Sequence, residues 1–191
     1  KIKKNLVDLI TKNPIFLNSK PFIVHRIDKE TSGILIIAKN RKYAQLLTSL
    51  FRIRKIHKSY LSICYGEMEK IKGLFDGDLI RYDKDKKISE RAITNYKVLD
   101  KNTNSTLLIL NPITGRKHQI RKQLFSIGFP VIGDSKYNFP ENKINKSKNL
   151  MLHAYSIKFM INEKKYEYTV NVPDYFKKML LTKRLTLFKN S

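Results

Sequence analysis

Ile23-Val24-His25-Arg26-Ile27-Asp28-Lys29-Glu30-Thr31-Ser32-Gly33 is the stretch around which the 191-residue chain is organised. One apolar run, Phe22 to Val24, leads into it and a second, Ile34 to Ala38, leads out, so a strand delivers His25, Arg26 and Asp28 into a polar turn. An Asp ahead of Thr-Ser-Gly often does no more than accept backbone amides in a turn. Here the acid stands out, because the chain carries 39 Lys and Arg against 16 Asp and Glu.

That excess, +23 at neutral pH, makes a polyanion the first partner to consider. Thirty lysines against nine arginines, among abundant Asn and Ile, also fit a genome poor in G and C, so charge supports nucleic-acid binding without proving it. A 41% apolar fraction suits a folded chain, and a single domain over 1–191 is expected. Cys64 is the sole cysteine, which excludes an internal disulfide and points to a reducing, cytoplasmic compartment. The four histidines, His25, His57, His118 and His153, are scattered without cysteine companions, so no metal is expected. No apolar run approaches the roughly 20 residues that span a bilayer. The chain opens on a basic amphipathic piece around Leu6–Ile10 with no initiator Met, and is read as a fragment.

Beyond the Asp28 turn, Asn40 suits the N-cap of a helix whose core face is Tyr43, Leu46, Leu47, Leu50 and Phe51. Residues 58–66 alternate like a half-buried strand, with Leu61 and Ile63 inward and Tyr60, Ser62 and Cys64 on the other face. Residues 67–90 read as a hairpin region and loop, followed by an antiparallel pair at 92–99 and 105–110. A strand breaks at Pro112, and a helix starts near Gly115, buries Ile120, Leu124 and Ile127, and stops at Gly128. Arg121 lies beside that buried stripe, which implies a carboxylate partner. A Lys- and Asn-rich loop to Asn149 precedes strands at 151–161 and 165–172, and Pro173-Asp174 opens a terminal helix. The order predicts an α+β fold, a mixed and mainly antiparallel sheet flanked by helices.

Several of these segments share one signature. His25 to Gly33 resembles the His-Arg-Leu-Asp-x-x-Thr-Ser-Gly motif of RluA-type RNA pseudouridine synthases. Lys58-Ser59-Tyr60 resembles the family's Lys-x-Tyr strand, and Gly115 to Arg121 its Gly-Arg-Thr-His-Gln-Ile-Arg segment, with Lys117 where the family has Thr. Gly128 to Tyr137 and Leu152-His153-Ala154 resemble two later segments, all in the family's order. Lys87 to Tyr96 is similar to the bacterial large-subunit rRNA synthases of the RluC or RluD kind. The N-terminal strand and the small RNA-binding domain of many members are absent from this sequence.

The resemblance implies conversion of uridine to pseudouridine in RNA, large-subunit rRNA ahead of tRNA, by a cytoplasmic monomer with no cofactor. Asp28 is then the essential nucleophile or base, Arg121 the partner of its negative charge, and Tyr60 the aromatic that stacks on the uracil and assists loss of the C5 proton. Arg26 would fill the space left by an extruded base or hold its phosphate. His25, Thr31, Ser32, Lys58, Arg116, His118 and Gln119 are the further RNA contacts it implies. A glycosidase-like hydrolase would need a second carboxyl group, for which Glu30 is the nearest in sequence. A non-catalytic RNA-binding or ribosome-assembly module is the other alternative.

Overall fold

The computed structural model describes residues 6–16, 20–84, 86–140 and 147–187. The chain divides into two compact units, Lys1–Ile27 with Leu35–Ile56, and Asp28–Ile34 with His57–Ser191. The first holds α1 (Leu6–Thr11), a 3-10 turn (Pro14–Phe16), the antiparallel pair β1 (Phe22–Ile23) and β3 (Ile37–Ala38), and α2 (Arg41–Arg52). Asn40 caps α2 as expected, its side-chain oxygen accepting from the Tyr43 amide at 3.0 Å. The expected apolar face is only partly covered. Leu47 is buried, Leu46, Leu50 and Phe51 are half-buried, and Tyr43 is exposed. A two-stranded ribbon is too narrow to cover a whole helical face.

The second unit is built on a seven-stranded sheet. Its strands are β2 (Ser32–Gly33), β4 (His57–Tyr65), β5 (Lys72–Asp83), β6 (Lys86–Asn102), β7 (Ser105–Pro112), β8 (Leu152–Ile161) and β9 (Lys164–Thr169). They run in the order β2-β8-β4-β7-β6-β5, with β9 also paired to β8. Only the β2–β8 pairing is parallel; the rest are antiparallel, as an α+β chain with a mainly antiparallel sheet requires. Helices α3 (Gln119–Ser126) and α4 (Asp174–Thr182) contribute Ile120, Leu124, Phe176 and Leu180 to a core shared with Leu61, Ile63, Leu107 and Leu110.

Three sequence expectations change. β4 is buried on both faces, for Ser62 and Cys64 are as inaccessible as Leu61 and Ile63. Small polar side chains on a central strand fill a core position when they find a partner, and here Ser62 Oγ meets Cys64 Sγ at 3.6 Å. Residues 72–83 and 86–90, inside the stretch expected as a hairpin region and loop, do form a hairpin, but one of two long regular strands, β5 and β6, with little loop. Charged cross-strand pairs replace apolar alternation there, Arg91 on Asp76 and Arg81 on Glu90. Ile127 is 42% exposed, because α3 begins four residues later than Gly115 and has ended by Ile127. The expected loop before Asn149 includes residues 141–146, which lie outside the described residues.

Candidate active site

Asp28 is placed by the short strand that follows it. The Thr31 amide donates to the Asp28 carbonyl at 3.0 Å, closing the turn, and β2 then pairs Ser32 with His153 and Gly33 with Ala154. Gly33 has φ +106°, and a Cβ there would collide with the carbonyl of Ala154, so the turn reaches β8 only through a glycine. Ser32 is tied on both sides, its Oγ 2.8 Å from His153 Nδ1 and accepting from the Tyr175 hydroxyl at 2.8 Å. The Tyr60–Ala154 pairing between β4 and β8 puts Tyr60 in the same row as Gly33. The sheet itself therefore brings Asp28 and Tyr60 together.

Arg121 arrives from α3, whose rotation is fixed by a buried polar network. Gln123 accepts from Thr94 at 2.7 Å and donates to the Ala92 carbonyl. Gln119 accepts from Thr114 and donates to Thr94 and to the Ile93 carbonyl. Every polar atom of these side chains is used inside the protein. The opposite side of α3 carries Arg121, which is 2% exposed.

The carboxylate that Arg121 requires is Asp134 in the first place. Arg121 Nε and an Nη bond the two Asp134 oxygens at 2.6 and 2.7 Å, a bidentate pair with both side chains buried. Asp134 Oδ1 also accepts from the Lys136 and Tyr137 amides, at 2.9 Å each. With Asp134 so held, Arg121 presents its remaining Nη to Asp28 at 3.6 Å and meets Glu30 at 3.2 Å. Burial alone would weaken the guanidinium's hold on its proton, but Asp134, with Asp28 and Glu30 behind it, outweighs that and raises its pKa further. The expected Arg121–Asp28 ion pair is thus the outer arm of a cluster whose anchor is Asp134. The sequence carried that signal in Gly133-Asp134-x-x-Tyr137, but did not say which acid the arginine would take first.

His118 precedes α3 in a left-handed conformation, φ 55°. Its Nδ1 lies 3.0 Å from the Tyr137 hydroxyl and its Nε2 3.8 Å from Asp28. Burial lowers its pKa, and Arg121, Lys136 and Lys117 lower it further against the pull of Asp28. The balance favours the neutral imidazole. Tyr60 goes the other way: burial, then the charge of Asp28, pushes its phenol up to about 12. A phenol so shifted keeps its proton at pH 7 and is a poor base there.

The remaining sequence candidates separate by placement. Lys58 is half-buried, its pKa lowered by burial, and its Nζ is 4.0 Å from where a Cβ on Gly115 would stand. Arg116 is half-buried, bonding Glu90 at 3.0 Å and the Arg91 carbonyl at 3.2 Å. Thr31 is buried, Ser32 Oγ is bonded to His153 and Tyr175, and Gln119 is committed to the network above, so the polar groups of Ser32 and Gln119 are taken up inside the protein. In the first unit, His25 accepts from the Ile36 amide at 2.8 Å and stacks on Phe51, and Arg26 is exposed.

An acid, a half-buried phenol and an anchored guanidinium gather beside a mainly antiparallel sheet. Comparison with known proteins narrows the class. The family described as RNA pseudouridylate synthase matches residues 3–126. The ribosomal large subunit pseudouridine synthase C of Buchnera aphidicola is 36% identical over 174 residues, covering 83% of this chain and 55% of that protein. An uncharacterised RNA pseudouridine synthase of Zymomonas mobilis is 34% identical over 76% of this chain and 69% of its own length. Among solved structures, human RNA pseudouridylate synthase domain containing 4 superimposes with a TM-score of 0.79 at 26% identity, over 96% of this chain and 82% of that one. The chain belongs to the RNA pseudouridylate synthase family. It spans about half the length of the Buchnera protein.

Proposed function

We propose that this chain is the catalytic domain of an RNA pseudouridine synthase, with Asp28 as its essential carboxylate and large-subunit rRNA as its substrate. The observation that supports this most is the Asp28–Tyr60–Arg121 cluster, an acid with an aromatic beside it and a cation behind it. In the reaction the N1–C1′ bond of a uridine breaks, the uracil turns, and C5 bonds to C1′. The C5 proton then leaves and N1 gains one, so substrate and product are isomers and no redox partner is consumed. Asp28 acts at C1′, at C6 or on the 2′ proton. Tyr60 stacks on the uracil. Because its phenol keeps its proton, the C5 proton passes to Asp28 or water. Extruding the uridine costs a few kcal/mol, and Arg26, two residues before Asp28 in sequence, is the side chain we assign to the vacated place.

The ribosomal target is supported by the names of the Buchnera protein and of a Borreliella burgdorferi relative, ribosomal large subunit pseudouridine synthase D, which is 32% identical over 78% of this chain and 47% of its own length. A single domain acting as a monomer in the cytoplasm, where the RNA substrate lies, belongs to the same proposal. The test is tritium release from RNA labelled at uridine C5, with large-subunit rRNA and bulk tRNA in parallel. Release from rRNA that falls at least a thousandfold in Asp28→Asn is expected. Release that survives the substitution, or tight RNA binding with no release from either RNA, would overturn it.

A further inference from the structure

We propose that the exposed face of α2 is a second contact for the substrate RNA, a groove that takes the phosphate backbone outside the target nucleotide. This rests on the RNA substrate proposed above and adds a site for it. The groove has a volume of about 470 Å³ and is lined by Phe22 and by α2, with Arg41 and Arg52 at its two ends and Gln45 and Thr48 between them. Positions 41, 45, 48 and 52 recur at i, i+4, i+7 and i+11, which sets them in one line on the helix. Eleven residues of helix span about 16 Å, enough to run beside several successive phosphates of one strand.

Charge argues for that occupant. Residues 1–27 and 35–56 hold twelve Lys and Arg and one acid, Asp8, while the rest of the chain holds 27 against 15. α2 contains no Asp or Glu, and its first turn carries Arg41 and Lys42 where the helix dipole favours acids. Among the described residues neither Arg41 nor Arg52 meets a carboxylate. Elsewhere the arginines of exposed strand are neutralised within the protein, Arg81 by Glu90 and Arg91 by Asp76. A face that bears repulsion and an opposed dipole without internal relief is matched to an anion from outside. The amide and hydroxyl between the two arginines suit phosphate and ribose oxygens.

The experiment measures the affinity of the full chain for a large-subunit rRNA fragment at several salt concentrations, beside tritium release. Arg41→Ala/Arg52→Ala is expected to make the slope of log K against log salt shallower by about 2, one for each lost phosphate contact. Arg41→Lys/Arg52→Lys restores the slope. Lys164→Ala/Lys178→Ala, an equal loss of charge in the other unit, leaves it as in wild type. A slope unchanged in the double alanine variant, or lowered equally by the control pair, overturns the groove and leaves it to another occupant or to diffuse charge. Binding reads out separately from turnover. An active wild type with an unaltered slope in the variant defeats the groove alone, and an inactive wild type whose binding still depends on Arg41 and Arg52 defeats only the enzymatic proposal.

Discussion

Arg121 on α3 and the pair Arg41 and Arg52 on α2 carry the same guanidinium into opposite surroundings. Arg121 is buried and faces three acids, Asp134, Glu30 and Asp28. Arg41 and Arg52 are exposed and, among the described residues, face none. A buried cation must bring its counter-charges with it, so its position is fixed by the fold and it can in turn position a reacting acid. A solvated cation has no such obligation and stays available to a charged partner from solution.

Removing the anchor gives the largest expected effect. Asp134→Asn keeps the shape of the side chain but removes the charge that satisfies Arg121 and leaves the guanidinium with its outer partners only. A buried pair broken on one side costs about 3 kcal/mol or more, roughly 6–12 °C in Tm for a chain of this size. Tritium release should fall as well, since Arg121 is then free to close on Asp28. A melting temperature within a degree of wild type would mean that Asp28 and Glu30 hold Arg121 unaided, and would dissolve the distinction between anchor and outer arm.

The next test concerns groups that are buried without a counter-charge. Burial pushes the Cys64 thiol from 9.0 up to about 12, and Tyr60 from 10.0 up to about 12. The unfolded chain loses these protons at the ordinary values and the folded chain does not. Between those limits the unfolded state binds fewer protons, so the stability they contribute is complete below about pH 9 and is lost as pH rises toward 12. For each group the loss is at most about 1.4 kcal/mol per pH unit. Urea midpoints of wild type and Cys64→Ala, compared from pH 8 to 11, should converge as pH rises. A constant difference would mean that the thiol ionises freely in the folded protein.

What could be read from sequence follows the same line between local and distant causes. The cap at Asn40 and the stop at Gly128 were legible because each is decided by neighbouring residues. The order of the motifs also carried Asp28, Tyr60 and Arg121, which the structure brings together through β2, β8, β4 and α3. Asp134 as the first partner of Arg121 was not legible. The choice among three acids depends on where the 133–137 turn packs, and Gly133, with φ +79° and no room for a Cβ against Asn149, sets that by a contact sixteen residues away. The two-sided burial of β4 escaped for a like reason, because the alternation of residues 58–66 alone reads Ser62 and Cys64 as an outer face, and their burial is decided by distant parts of the chain.

The smallest expected effect bears on pairing itself. Arg91 is exposed on β6, yet it bonds both oxygens of Asp76 across the β5–β6 ladder, at 2.9 and 2.7 Å. If neutralisation within the protein, and not exposure, separates idle cations from those that meet RNA, Arg91→Ala should leave the melting temperature unchanged. It should also leave the salt slope of RNA binding as in wild type, because exposed pairs add little stability and a cation already matched by Asp76 releases few counterions when a phosphate approaches. Measured beside Arg41→Ala/Arg52→Ala, this places an exposed paired arginine against exposed unpaired ones. A slope lowered as much per residue by Arg91→Ala would show that exposure alone decides the contact, and the contrast between α2 and the rest of the basic surface would lose its physical basis.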